Sequence, residues 1–184
     1  MISADRAPDP TLDRVRTALL AALCASIGYA LATVPNIELI STAVFVCGAH
    51  LGVRRGAVIG LLAEGIYAGV NPNGISPPPL YAAQVLGFGL VGAGGGVMRP
   101  VLGRAPIGLQ AALAAGCGFA LTLAYDVLTG VAVWFMAREG ASLAAIVLGG
   151  LSFPFPLAHA GFNTLAFAVA VPAVLRAIRR RGAA

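Results

Sequence analysis

The sequence predicts an all-α integral membrane protein, a bundle of six transmembrane helices with the N- and C-termini cytoplasmic. Three observations predict it. Only 10% of the 184 residues are charged and 59% are hydrophobic, with a mean hydropathy of +0.89, whereas a soluble domain carries roughly 25% charged residues on its water-facing surface. The apolar residues fall in runs close to the ~20 residues that a helix needs to cross a bilayer. All twelve basic residues are arginine, set in short clusters between those runs. A membrane domain over 15–176 is expected between a cytoplasmic N-terminal tail, 1–14, and a basic cytoplasmic tail, 177–184.

The first span reads from Val15 to Val34 and ends at Pro35-Asn36. The second, Ile37 to Val53, and the third, Gly56 to Val70, are separated by a tight charged turn, Gly52–Gly56. Asn71–Pro79 is read as non-helical because of its prolines and turn residues. The fourth span runs from Leu80 to Met98 and stops at Arg99-Pro100. The fifth runs from Pro106 to about Met136, long enough to tilt. Ala141–Pro156 is apolar but broken by Gly149-Gly150, Pro154 and Pro156, and is read as a lid or re-entrant helix. The sixth runs from Leu157 to about Leu175, with a kink expected at Pro172.

Orientation follows from the arginines. With the N-terminus inside, Arg6, Arg14, Arg16, Arg54, Arg55, Arg99, Arg104, Arg176, Arg179, Arg180 and Arg181 are cytoplasmic, and Arg138 alone is outside. This is the positive-inside pattern. The net charge of +5 is therefore a topology signal; no basic stripe or motif for nucleic acid accompanies it. Ala30-Leu31-Ala32 resembles a signal-peptide cleavage site, but Asp5, Asp9 and Asp13 precede it and the apolar stretch is long for a signal h-region. Cys24, Cys47 and Cys117 stand apart in apolar segments with no metal-ligand spacing, and read as small buried hydrophobes.

Polar side chains within spans are expensive, at least ~2.5 kcal/mol for a charge near the bilayer centre, so their positions are informative. Asn36 and Glu38 lie at the outer end of the second span, and Glu64 lies near the middle of the third with Tyr67 and Asn71 above it. Gln84 is in the outer third of the fourth span. Tyr125, Asp126 and Thr129 are in the outer half of the fifth; His159 and Asn163 are one turn apart in the sixth. The inner halves are nearly all Ala, Gly, Val, Leu and Ile. Polar residues that merely join helices belong in both leaflets, so this concentration predicts an outward pocket. Three carboxylates and an imidazole, with only Arg138 at the rim, fit a neutral or cationic hydrogen-bonding molecule. Tyr67, Tyr81, Phe88, Tyr125 and Trp134 are available for stacking. Each polar residue taken singly is equally compatible with an interhelical hydrogen bond.

No motif indicates catalysis, a cofactor or a metal. Ser41, Ser76 and Ser152 lie in no nucleophile elbow, and there is no HExxH. Gly92–Gly96 lacks the Lys-Ser/Thr of a phosphate loop and reads as a close helix contact. His50 beside the inner turn reads as interfacial. On the first helix, Ala18, Ala22 and Ser26 recur every four residues, with Ala21 and Ala25 beside them, a spacing that admits another helix backbone.

Over Val15–Leu175 the chain resembles the substrate-binding S-components of energy-coupling factor (ECF) transporters. The resemblance rests on Ala18 and Ala22, "PNIEL" at Pro35–Leu39, "NPNGISPPPLYAAQVLG" at Asn71–Gly87, "AYDVLTG" at Ala124–Gly130 and "HAGFN" at His159–Asn163. It implies a six-helix protein of a prokaryotic cell membrane that binds a vitamin or related micronutrient from outside. Partners would be a transmembrane T-component, docked on Ala18 and Ala22, and two ATPases. The loops Thr33–Glu38, Asn71–Pro79 and Arg138–Pro156 would cover the substrate, and the occupied subunit would topple inward. The residues themselves leave three alternatives: a stand-alone proton-coupled carrier using Glu64, Asp126 or His159, a small intramembrane enzyme using Asp126 and His159, and a structural membrane subunit.

Overall fold

The computed structural model of the chain describes residues 9–34, 37–71, 74–137, 142 and 155–182, and these form six helices and no strand. Asn36 and nearly all of Arg138–Pro156, the expected lid, lie outside the described residues.

Helix α1 (Pro10–Ala30) starts ahead of the expected Val15 because Asp9 caps it: Asp9 Oδ1 accepts the Thr11 N–H at 2.8 Å. Pro10, in the first turn, has no N–H to leave unpaired. The helix ends at Ala30, and Leu31–Val34 turn rather than continue it. Helices α2 (Ile40–Leu51) and α3 (Val53–Gly69) are joined by Gly52 alone, at φ +96°. The charged turn expected over Gly52–Gly56 is thus a one-residue corner that glycine alone adopts without strain, and Arg54 and Arg55 belong to the first turn of α3.

Helix α4 (Pro78–Arg104) corrects two boundaries. Pro78 and Pro79, assigned to a loop, open the helix, where a missing N–H costs nothing. Pro100, assigned as its stop, lies inside it. Proline there removes one hydrogen bond of the ladder, and α4 tolerates it near its end. Helix α5 (Ile107–Met136) matches its expected span. Helix α6 (Phe155–Gly182) runs past Leu175 through Pro172 and into the arginine cluster, so the basic tail begins as helix.

Helices α4, α5 and α6 are long and apolar enough to cross a membrane. Their outer faces present Leu86, Leu90, Phe119, Phe135, Leu165 and Val169, all about half exposed or more, an apolar exterior that water does not favour. This is the character of a membrane protein. Helix α2, at 12 residues, is only ~18 Å long at 1.5 Å per residue and is the most enclosed element, packed against α1, α3, α4 and α6.

Helix α4 packs against α2, α3 and α5, and glycine makes that possible. Gly48 of α2, Gly56 of α3 and Gly92 of α4 meet at one point, where a Cβ on any of them would overlap a neighbouring backbone. Gly60 stands equally close to the Phe88 carbonyl and Gly95 to that of Phe45. The run Gly92–Gly96 is therefore helix-packing surface. Around it lie Phe45, Ile59, Val44, Phe167 and Val171, all essentially inaccessible.

The arginines of the described residues gather at one end of the bundle. Asp13 of α1 pairs with Arg55 of α3, Arg99 of α4 approaches Gly52, and Arg179 of α6 donates to the Gly103 carbonyl at 3.1 Å. His50, Arg99, Arg104 and Arg179 line a shallow cavity at this end. One buried polar residue at this end had no part in the sequence reading. Gln110 is 3% exposed, and its Nε2 donates to the Leu102 and Ala105 carbonyls at 2.9 and 2.8 Å, closing carbonyls left open where α4 ends. Cys24 and Cys47, separate in sequence, are both free and lie 3.9 Å apart between α1 and α2.

Candidate functional site

At the end of the bundle away from the described arginines, a cavity of about 320 Å³ is lined from every helix or its flank. Its size is at the small end of the ~300–1,000 Å³ usual for ligand pockets. Each helix contributes one face at helical spacing: Glu64 and Tyr67 from α3, Gln84, Phe88 and Val91 from α4, Thr122, Tyr125 and Asp126 from α5, and His159, Asn163 and Phe167 from α6. Leu31, Ala32, Val34, Ile37 and Glu38 line it from the α1–α2 connection.

Glu38 is held from three sides. Its Oε2 accepts the Ser41 N–H at 2.8 Å, placing a carboxylate at the positive end of α2. Its Oε1 accepts from Asn163 Nδ2 at 2.9 Å and stands 3.8 Å from His159 Nε2. Asn163 Nδ2 also donates to Thr122 Oγ1 at 3.1 Å. The other ring nitrogen of His159, Nδ1, is 3.0 Å from Asp126 Oδ1. A continuous polar chain thus runs from Asp126 through His159 and Glu38 to Asn163 and Thr122, tying α5, α6 and the start of α2 together. Among the described residues no group of His, Cys, Asp or Glu is arranged to hold a metal ion.

Four polar atoms of this lining are buried and have no hydrogen-bond partner among the described residues: Glu64 Oε2, Gln84 Oε1, Asp126 Oδ2 and Asn163 Oδ1. Buried polar groups in a finished core are nearly always paired, and an unpaired one costs about 1–3 kcal/mol. Two further such atoms, Thr42 Oγ1 and Gln110 Oε1, lie outside the lining, and the four that converge on the cavity are open to pair with whatever enters it.

Of the residues expected at the site, Glu38, Glu64, Tyr67, Gln84, Tyr125, Asp126, His159 and Asn163 line the cavity. Thr129 does not: its hydroxyl donates to the Tyr125 and Asp126 carbonyls of its own helix, the local bond that threonine makes within helices. Asn71 is described but does not line the cavity either, and neither does any other described residue of Asn71–Pro79. Among the aromatic residues, Tyr67, Phe88 and Tyr125 are in the wall; Phe88 and Tyr125 meet edge-on with centroids 5.5 Å apart. Tyr81 instead donates to the Gly65 carbonyl at 3.0 Å, and Trp134 packs on Phe135. Sequence reasoning missed Thr122 and Phe167, although each lies four residues from a recognised one, Asp126 and Asn163.

Helix α1 separates its two sets of small residues. Ala21, Cys24, Ala25 and Gly28 pack inward, while Ala18, Ala22 and Ser26 are exposed beside Leu19 and Leu23.

No protein-family model matches the chain, and neither does a curated protein or a solved structure.

Proposed function

We propose that this chain is the substrate-specificity (S) subunit of an ECF-type importer. It would bind a vitamin or related micronutrient from outside for ATP-driven uptake with a T-component and two ATPases. It is not itself an enzyme. In this reading all six helices cross a prokaryotic cell membrane, α2 and α3 as a short pair sheltered by longer neighbours, and both termini are cytoplasmic. The observation that carries it is the cavity at the end opposite the described arginines, with four buried polar atoms that have no partner among the described residues. The positive-inside rule puts the arginine end in the cytoplasm, so the cavity faces outward. The exposed small-residue face of α1 at Ala18 and Ala22 supports a docked transmembrane partner, because small side chains let another helix approach closely.

The test is recovery of the complex from native membranes. A T-component and ATPases are expected to co-purify with the wild type and to be lost from Ala18→Trp and Ala22→Trp, while mass spectrometry of the extracted chain identifies the bound solute. Both variants should remain monodisperse, since these positions face outward. A wild-type chain that brings down no ATPase and no solute defeats the reading.

The polar chain from Asp126 through His159 to Glu38 favours a second reading, a proton-coupled carrier. Uptake into vesicles that lack any ATPase, driven by an imposed proton gradient, would establish that alternative.

A further inference from the structure

The four unpartnered atoms of the cavity are of one kind. Gln84 Oε1 and Asn163 Oδ1 are acceptors, as are Glu64 Oε2 and Asp126 Oδ2 when their carboxyls are ionised, and among the described residues no arginine lines the cavity. Nor are the carboxylates equivalent. Both oxygens of Glu38 are occupied, by the Ser41 N–H and Asn163 Nδ2, and the His159 ring is placed between Asp126 and Glu38. Among the described residues Asp126 Oδ2 has no partner. Glu64 is 2% exposed, and among the described residues it forms no ion pair. A buried carboxylate without a cation is costly, and a positively charged donor in the cavity would offset that cost. The cavity wall includes four aromatic rings, Tyr67, Phe88, Tyr125 and Phe167. Aromatic faces attract cations and flat rings.

We propose that the cavity is selective for a small, flat organic cation bearing several N–H donors, such as an amidinium or an amino-substituted nitrogen heterocycle, with Glu64 and Asp126 as its counter-charges. This rests on the reading of the cavity as the solute site. It narrows that reading, since a neutral sugar-like solute or an anionic vitamin would leave Glu64 unpaired.

Three probes of nearly one shape decide it: benzamidinium, benzamide and benzoate, titrated onto the purified full-length chain in lipid nanodiscs after removal of any co-purified solute. Benzamidinium is expected to bind at least about tenfold more tightly than benzamide, the margin of one charge-assisted hydrogen bond, and benzoate not at all. Glu64→Gln and Asp126→Asn, which keep size and shape, are expected to erase that preference. Equal or tighter binding of benzamide or benzoate, binding of none of the three, or a preference that survives both substitutions would overturn the proposal. The wild-type ranking alone decides if either variant fails to fold. A chain that recruits ATPases yet prefers benzoate would defeat this inference and leave the importer reading standing. One that binds benzamidinium without ever recruiting an ATPase would do the reverse.

Discussion

Gly92→Leu is expected to yield no folded, monodisperse protein, and Gly92→Ala a chain with a markedly lower melting temperature. The reason is where three helices cross. The Gly92 carbonyl of α4 is the atom against which a Cβ on either Gly48 or Gly56 would collide, and a Cβ on Gly92 would collide with the Gly56 carbonyl. These are contacts with backbone, so no rotamer change relieves them and the helices themselves must separate. Overpacking that side chains can partly absorb already costs about 1–3 kcal/mol, and here the cost should lie at or above that range. Separation would also disturb the cavity, because Gly92 is the chain neighbour of Val91, which lines it. Gly116 of α5 is the control, since a Cβ there meets nothing within 4 Å. Gly116→Ala should be neutral or stabilising by up to ~1 kcal/mol, the helix-propensity difference between the two residues. Thermal unfolding in detergent, followed by intrinsic fluorescence, compares the three variants. A Gly92→Leu chain that melts like the wild type would disprove the three-glycine crossing.

The second large effect is expected at Asn163. Asn163→Asp should destabilise the chain by on the order of 3 kcal/mol, because it sets a carboxylate against Glu38 inside the bundle, where a broken charged pair costs about that much. The present amide donates 2.9 Å to Glu38 Oε1 and 3.1 Å to Thr122 Oγ1 from a side chain that is 1% exposed. Both donations end when the amide nitrogen becomes oxygen. The diagnostic result is the double variant. Glu38→Gln in the Asn163→Asp background restores one donor facing one acceptor, so it should recover much of the lost melting temperature. Glu38→Gln alone should be destabilising as well, since the new amide can accept from only one of its two donors, Asn163 Nδ2 and the Ser41 N–H, and turns its own Nε2 toward the other. Additive losses in the double variant would show that Asn163 and Glu38 are not energetically coupled.

Glu38, Glu64, Asp126, His159 and Asn163 could be recognised in the sequence because an ionisable or amide side chain is costly inside an apolar run, and the cost marks it wherever the chain folds. Thr122 and Phe167 could not be recognised this way. A threonine or phenylalanine in a membrane helix carries no such cost, and only its position on the same face, one turn from a marked residue, assigns it to the cavity. Thr129 shows the opposite error. It lies beside Asp126 in sequence and looks equally polar, yet its hydroxyl is satisfied by the carbonyls of its own turn. Boundaries followed the same logic. Prolines read as breakers at 78, 79 and 100 sit within α4 because their effect depends on which N–H the helix needs at that position.

The sequence by itself determined the apolar helical character of the chain, the clustering of its arginines and the rare polar residues that matter, because each is a matter of composition against spacing along one chain. Tertiary structure alone decided which of those residues meet. Glu38 and Asn163 are 125 positions apart and joined by one hydrogen bond, and Cys24 and Cys47, which looked solitary, are neighbours. It also decided that both oxygens of Glu38 are engaged while Glu64 and Asp126 each keep one without a partner among the described residues. Pairing is a property of distances between helices, and these are set by how closely Gly48, Gly56 and Gly92 let three backbones approach, which no pattern along a single helix records.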